Sequence, residues 1–179
     1  MAGVCRDEAA YSAQGMGIYE KNLTADDFLS IVTNQIKDRS MGRTAEEIRD
    51  FYLADTDRSD PTVVRQRLVA FMSDTFLKCG TYLFAKQYAQ HSKNKNNTFF
   101  YELTRAAVMP KSSPIGPDAR TIAKLGVPHA IDNLYVFGFP FLIDWEDKTD
   151  ISFSKQYMKY WTDFAKYGYN NHQVYHLGR

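Results

Sequence analysis

The sequence predicts an α/β fold that is rich in helix and holds only a few strands of an incomplete sheet. Two observations carry this reading. Apolar runs at residues 1–5 and 98–103 read as strands, and they lie far apart in the chain. The segments between and after them show helical spacing and helix-start signals instead. Two strands do not make a stable sheet alone, so the pair is expected to belong to a larger sheet.

The elements follow in order. Residues 1–5 form a short apolar run that gives way at once to Arg6, Asp7 and Glu8. A domain seldom begins inside a strand, which predicts a truncated chain. Residues 25–38 space Phe28, Ile31, Val32, Gln35 and Ile36 as one helix face, with Asp26 and Asp27 in the first turn, where the helix dipole favours acids. Thr44 and Glu47 have the spacing of a capping box and open a short helix carrying Ile48, Phe51 and Tyr52. Asp60 and Pro61 open the next helix, as cap and first helical residue. It is expected to run to about residue 90 and to bend or break at Gly80, because glycine costs about 1 kcal/mol relative to alanine inside a helix.

Residues 91–97 read as a polar turn with a solvated His91, and 98–103 as a buried strand. Residues 109–127 carry three prolines and two glycines and are expected to form a long loop. An apolar, aromatic stretch follows at 131–143. A last helix is expected to start from Ser152 or Ser154 and to run through Lys166, with Gly168 after its end. Its stripe of Phe153, Tyr157, Tyr160, Trp161 and Phe164 reads as core.

Composition narrows the function only broadly. The 179 residues are expected to form a single domain. The chain carries 22 Lys and Arg against 21 Asp and Glu, a balance that gives no field for gripping nucleic acid. It has no stretch of ~18 apolar residues to span a membrane. The first residues do not have the pattern of a signal peptide. Two cysteines rule out a disulfide scaffold, and Cys5 reads as a buried thiol.

Two side chains stand out chemically. His129 lies in Gly126-Val127-Pro128-His129-Ala130, after the second strand, and imidazole is the side chain best suited to proton transfer near neutral pH. Glu8 lies directly after the first strand, where a carboxylate can orient an imidazole. In α/β-hydrolases the triad runs Ser, then Asp or Glu, then His, and Glu8 and His129 match the last two members. The first has no match, because the sequence contains no G-x-S-x-G elbow. His172 and His176 have a metal-like spacing but lack the glutamate of H-E-x-x-H, and they read as a plain tail. Asn22-Leu23-Thr24 and Asn96-Asn97-Thr98 have the form of N-glycosylation sequons.

Longer segments then resemble a family. Asp7-Glu8-Ala9-Ala10-Tyr11 resembles the D-E-G-[ST]-[YF] acid motif of type-B carboxylesterases and cholinesterases. The run from His129 to Gly138, HAIDNLYVFG, resembles their H-[GA]-x-[DE]-x-x-[YF]-V-F-G histidine motif. Residues 160–171, YWTDFAKYGYNN, resemble their Y-W-x-x-F-A-x-x-G-x-P-N segment, and Phe99-Phe100-Tyr101 resembles the strand ahead of the histidine loop. Three departures stand out: Ala9 for glycine, whose methyl is expected to crowd the turn holding Glu8, Asp132 for the usual glutamate, and Asn170 for proline.

The resemblance implies the C-terminal third of an α/β-hydrolase, with residues 1–179 as one partial domain and a mostly parallel sheet. It implies Glu8 as triad acid and His129 as general base, with the nucleophilic serine and the oxyanion glycines far upstream. It implies no metal or organic cofactor, a small carboxylic ester as substrate of the complete protein, and no reaction from this chain alone. It also implies an unpaired Cys79, at the place of a cholinesterase half-cystine. The helix near 61–90 and the final helix are candidates for a homodimer interface in the parent, which is expected to be secreted, lumenal or membrane-attached. The alternative is a neuroligin-like adhesion or binding module that keeps the fold without the catalysis.

Overall fold

A computed structural model describes residues 1–37, 42–92, 98–108, 121, 124–143, 145 and 147–168. Most of the proline-rich 109–127 stretch, the Asn96 sequon and the 169–179 tail, with Asn170, His172 and His176, fall outside these residues. The described chain divides into two compact units, Met1–Tyr11 with Ser73–Arg179, and Ser12–Met72.

The first unit holds the sheet. Strand β1 (Ala2–Cys5) lies parallel to β2 (Phe100–Leu103), with Ala2 opposite Phe100 and Cys5 opposite Leu103. Parallel strands need a long crossover, which the intervening residues supply. Gly3 faces Tyr101, and a Cβ on Gly3 would sit 2.1 Å from that ring. Glycine is thus what leaves room for the Tyr101 ring at this place. Only Leu103 of β2 is buried, so the strand is less enclosed than its apolar sequence predicts.

The second unit is helical: α1 (Ala10–Gly15), which begins in the first unit, then α2 (Ala25–Ile36), α3 (Ala45–Tyr52) and α4 (Pro61–Ser73). Thr44 caps α3 with both bonds of the capping box. Thr24 caps α2 in the same way with Asp27 as its reciprocal acid, a cap the sequence reading missed because the motif is usually written with Glu or Gln. Asp60 accepts from the Thr62 N–H at 2.8 Å and starts α4. Phe28, Tyr52 and Phe71 form an aromatic cluster with centroids 5.5–6.4 Å apart, and Val32, Leu53, Val64 and Leu68 of the same unit are also buried.

The helix opened at Pro61 does not break at Gly80. It loosens earlier, in a π-helical turn at Asp74–Lys78, and resumes as α5 (Cys79–His91). Such turns recur at functional sites. The aromatic stretch at 131–143 folds into two short helices, α6 (Ile131–Val136) and α7 (Phe139–Leu142), each entered through a left-handed residue, Ala130 and Gly138. The last helix, α8 (Lys148–Tyr167), starts earlier than either serine. Asp147 caps it, accepting from the Thr149 and Asp150 N–H groups, and Gly168 ends it in a left-handed conformation. Ser152 and Ser154 instead donate to carbonyls, of Lys148 and Tyr135.

The first unit's core joins Cys5, Leu103, Val127, Ile131, Tyr135 and Tyr157, with Phe153, Tyr160 and Trp161 packed against it. The described chain is rich in helix and its first unit holds a two-stranded parallel sheet, consistent with a partial α/β-hydrolase fold. Among the described residues no helix is long and apolar enough to cross a membrane.

Candidate active site

The site is built where β1 ends. Arg6 N–H donates to Leu103 carbonyl oxygen at 2.9 Å, the last rung toward β2. The next residue changes neighbour: Asp7 N–H donates to the Val127 carbonyl at 3.0 Å, in a parallel bridge with the 127–128 segment. Glu8 then turns inward. Its side chain is 3% exposed, while that of His129 is 52% exposed.

The Glu8 carboxylate is held from two sides. Oε1 accepts the Cys5 N–H at 2.6 Å, and Oε2 lies 2.6 Å from His129 Nδ1. A carboxylate oxygen accepts, so the Nδ1 proton is assigned to this contact, which leaves Nε2 outside it. The sequence-predicted residues, 121 positions apart, are therefore in direct contact. The short bond is of the charge-assisted kind, and it fixes the tautomer and the ring plane. Phe76, on the π-helical turn, sets its ring edge-on to the imidazole, centroids 6.1 Å apart and planes at 83°. Nothing in the sequence singles out Phe76, which lies within an irregular turn of the long helix.

Ala9 stands in the turn that follows β1. It is buried, its N–H donates to Ser73 Oγ at 3.0 Å, and its backbone needs no positive φ. Asp132, the shortened acid, accepts from the Tyr101 hydroxyl at 2.9 Å. Burial pushes the Cys5 thiol far up, and the Asp132 charge adds to the shift, so Cys5 is an inert core thiol. Cys79 is free and exposed. His91 is exposed with Nδ1 at 2.8 Å from the Gln87 carbonyl. Asn22 is exposed, but the Thr24 hydroxyl of its sequon is engaged in the α2 cap.

One further carboxylate was not singled out from sequence. Asp150 is fully buried and accepts from Arg105 Nε at 2.7 Å, the Val108 N–H at 2.7 Å, the Tyr135 hydroxyl at 3.0 Å and Trp145 Nε1 at 3.1 Å. No spacing rule links those donors. This cluster is a structural node that ties β2's exit to α6 and α8. Among the described residues, no group of three His, Cys, Asp or Glu side chains is placed to hold a metal ion.

Comparison with known proteins gives the family of the chain. Residues 1–177 match the carboxylesterase family, and the chain belongs to it. It is 28% identical over 152 residues to the bile salt-activated lipase of Rattus norvegicus, covering 83% of this chain and 23% of the lipase. It is 30% identical over 135 residues to the cholinesterase of Mus musculus, covering 73% of this chain and 20% of that protein. The chain thus spans about a fifth of the length of these relatives, less than the third expected from its motifs.

Proposed function

We propose that Glu8 and His129 are the acid and the general base of a Ser-Glu-His triad in a carboxylic ester hydrolase, and that the nucleophilic serine is not in this chain. The observation that carries the reading is the 2.6 Å contact between Glu8 Oε2 and His129 Nδ1, made from a buried carboxylate to a half-exposed ring. In the complete protein the serine hydroxyl gives its proton to His129 Nε2 as it attacks the ester carbonyl. His129 then returns that proton to the leaving alcohol, while Glu8 stabilises the imidazolium between the two steps. A water repeats the cycle to release the acid. The substrate class, carboxylic esters, follows from family membership. The same reading treats residues 1–179 as one partial domain. It puts a homodimer contact of the complete protein on the long helices, a choice supported by the exposed Tyr82, Leu83, Phe84 and Tyr88 of α5.

Triad members act as a unit, and losing the serine of a serine protease alone costs on the order of 10⁶ in turnover. The test pairs the chain with a serine. Residues 1–179 alone are expected to hydrolyse p-nitrophenyl acetate no faster than an imidazole-containing peptide. Joined to the upstream part of a bile salt-activated lipase, the chain is expected to restore turnover that His129→Ala and Glu8→Gln abolish. Restored turnover indifferent to His129→Ala would refute the assignment. So would organophosphate labelling of a serine in the isolated chain.

A further inference from the structure

We propose that Asp7 is a positioning residue: its carboxylate clamps Val127 and thereby sets the register that brings His129 onto Glu8. The inference rests on the Glu8–His129 reading above. Asp7 engages both polar groups of one residue. Its N–H donates to the Val127 carbonyl at 3.0 Å, and its Oδ2 accepts the Val127 N–H at 2.8 Å. Glu8 follows Asp7 by one position and His129 follows Val127 by two. Fixing the first pair therefore fixes where the second pair can meet, and a slip of one residue would turn side chains to the opposite face.

A second observation stands independently. Gly126 has φ +77°, and a Cβ there would lie 2.3 Å from Asp7 Oδ2. The space that admits the carboxylate is thus made by a glycine in the histidine loop itself. The same oxygen takes two bonds from Arg6, Nε at 3.0 Å and Nη2 at 2.8 Å. Arg6 is half exposed, so this ion pair adds little stability of its own. Its effect is to hold Oδ2 in the direction of the Val127 N–H. Glu8, in contrast, is anchored separately by the Cys5 N–H. Loss of the clamp is therefore expected to loosen His129 while Glu8 stays in place. Asp7 touches neither reacting nitrogen, so its role is positioning.

The test follows the His129 Nδ1 proton by NMR in the full chain with 15N-labelled histidine, assigned with His129→Gln. A hydrogen-bonded Nδ1–H gives a resonance shifted downfield and protected from solvent. In the unsubstituted chain the resonance is expected, and Glu8→Gln should remove it. Asp7→Ala should speed its exchange with solvent roughly tenfold or more, the scale of one lost charge-assisted hydrogen bond. Asp7→Asn, which keeps a carbonyl oxygen for the Val127 N–H, should restore it to within about threefold. Gly126→Ala leaves Asp7 intact but drives a methyl into its carboxylate, and should reproduce the Asp7→Ala effect if that variant does not fold. Melting curves run in parallel confirm that each variant read is folded. Absence of the resonance in the unsubstituted chain would sink the Glu8–His129 pair and the clamp with it. Its presence there, with unchanged exchange in folded Asp7→Ala or Gly126→Ala, would sink the clamp alone. Equal acceleration in Asp7→Ala and Asp7→Asn would make the Arg6 ion pair the operative contact, and would also overturn the clamp.

Discussion

Residues 12–72 and the remainder of the chain are held by different kinds of interaction. The 12–72 unit combines helix caps made between neighbours in sequence with an apolar core. Its caps span three residues, Thr24 with Asp27 and Thr44 with Glu47, and its core is an aromatic and aliphatic cluster. Its described ion pairs, such as Arg58 with Asp50, lie on the surface. The other unit has buried polar nodes that join separate elements: Glu8 with His129, 121 residues apart, and Asp150 with Arg105 and Val108, more than 40 residues away, and with the nearer Tyr135 and Trp145. Locally capped helices should absorb a substitution cheaply. A buried carboxylate with several donors should not, because each donor it abandons is left desolvated.

Asp150→Ala is the sharpest way to break that contrast. It strands the Arg105 guanidinium, whose Nε now has a fully buried acceptor, together with three neutral donors. Removing one partner of a buried ion pair typically costs about 3–5 kcal/mol. Both tryptophans, Trp145 and Trp161, belong to this unit, so tryptophan emission during urea unfolding reports on it directly. A loss below about 0.5 kcal/mol, the scale of an ordinary surface change, would mean that the node is not what orders the unit.

Gly3→Ala tests the sheet. The new methyl would overlap the Tyr101 ring, which packs edge-on against Tyr157 and Trp161 and sends its hydroxyl to Asp132. Overpacking of this kind costs about 1–3 kcal/mol. Displacement of the ring should also weaken the near-ultraviolet circular dichroism of the aromatic cluster. An unchanged spectrum and midpoint would show that β1 and β2 yield without strain.

The same contrast explains what could be read from the sequence. Thr44, Asp60-Pro61 and Gly168 act within a few residues of themselves, so spacing rules found them. The start of α8 was misplaced because Ser152 and Ser154 look like caps, while the operative cap, Asp147, stands among several other acids. Gly80 drew the break that lies in the π-helical turn before it, since the turn leaves no composition signal. Glu8 and His129 stand out in the sequence by their places after the two strands and by motifs that resemble a family's, and their contact is supplied by the fold. Asp150, Phe76 and Asp7 each take at least one partner from a segment more than 40 residues distant (Arg105, His129 and Val127), and no local pattern announces that.

Thr44→Ala probes the local side. It removes the acceptor of the Glu47 N–H at 3.2 Å and one half of a capping box. Substituting such a cap costs about 1 kcal/mol. The loss should be confined to α3, seen as faster amide exchange over residues 45–52, with tryptophan emission unaltered. A change in tryptophan emission at low urea would join what the comparison separates.

The smallest effect is expected at Ala130, and its sign is informative. Ala130 follows His129 directly and sits at φ 67°, ψ 5°, a left-handed conformation that starts α6. An L-residue with a Cβ carries about 1–2 kcal/mol of strain there. Glycine removes the strain but loses about 0.5–1 kcal/mol more chain entropy on folding. Ala130→Gly should therefore stabilise by up to about 1 kcal/mol, read as a rise in the urea midpoint with an unchanged slope. Strain held beside a reactive group is stable only where the surrounding structure over-determines it. Here the surroundings are the Glu8 bond on one side and buried Ile131 on the other. If Ala130→Gly instead lowers the midpoint, the methyl contributes more through packing than its backbone strain costs, and the turn at His129 is held by its core contacts rather than against them.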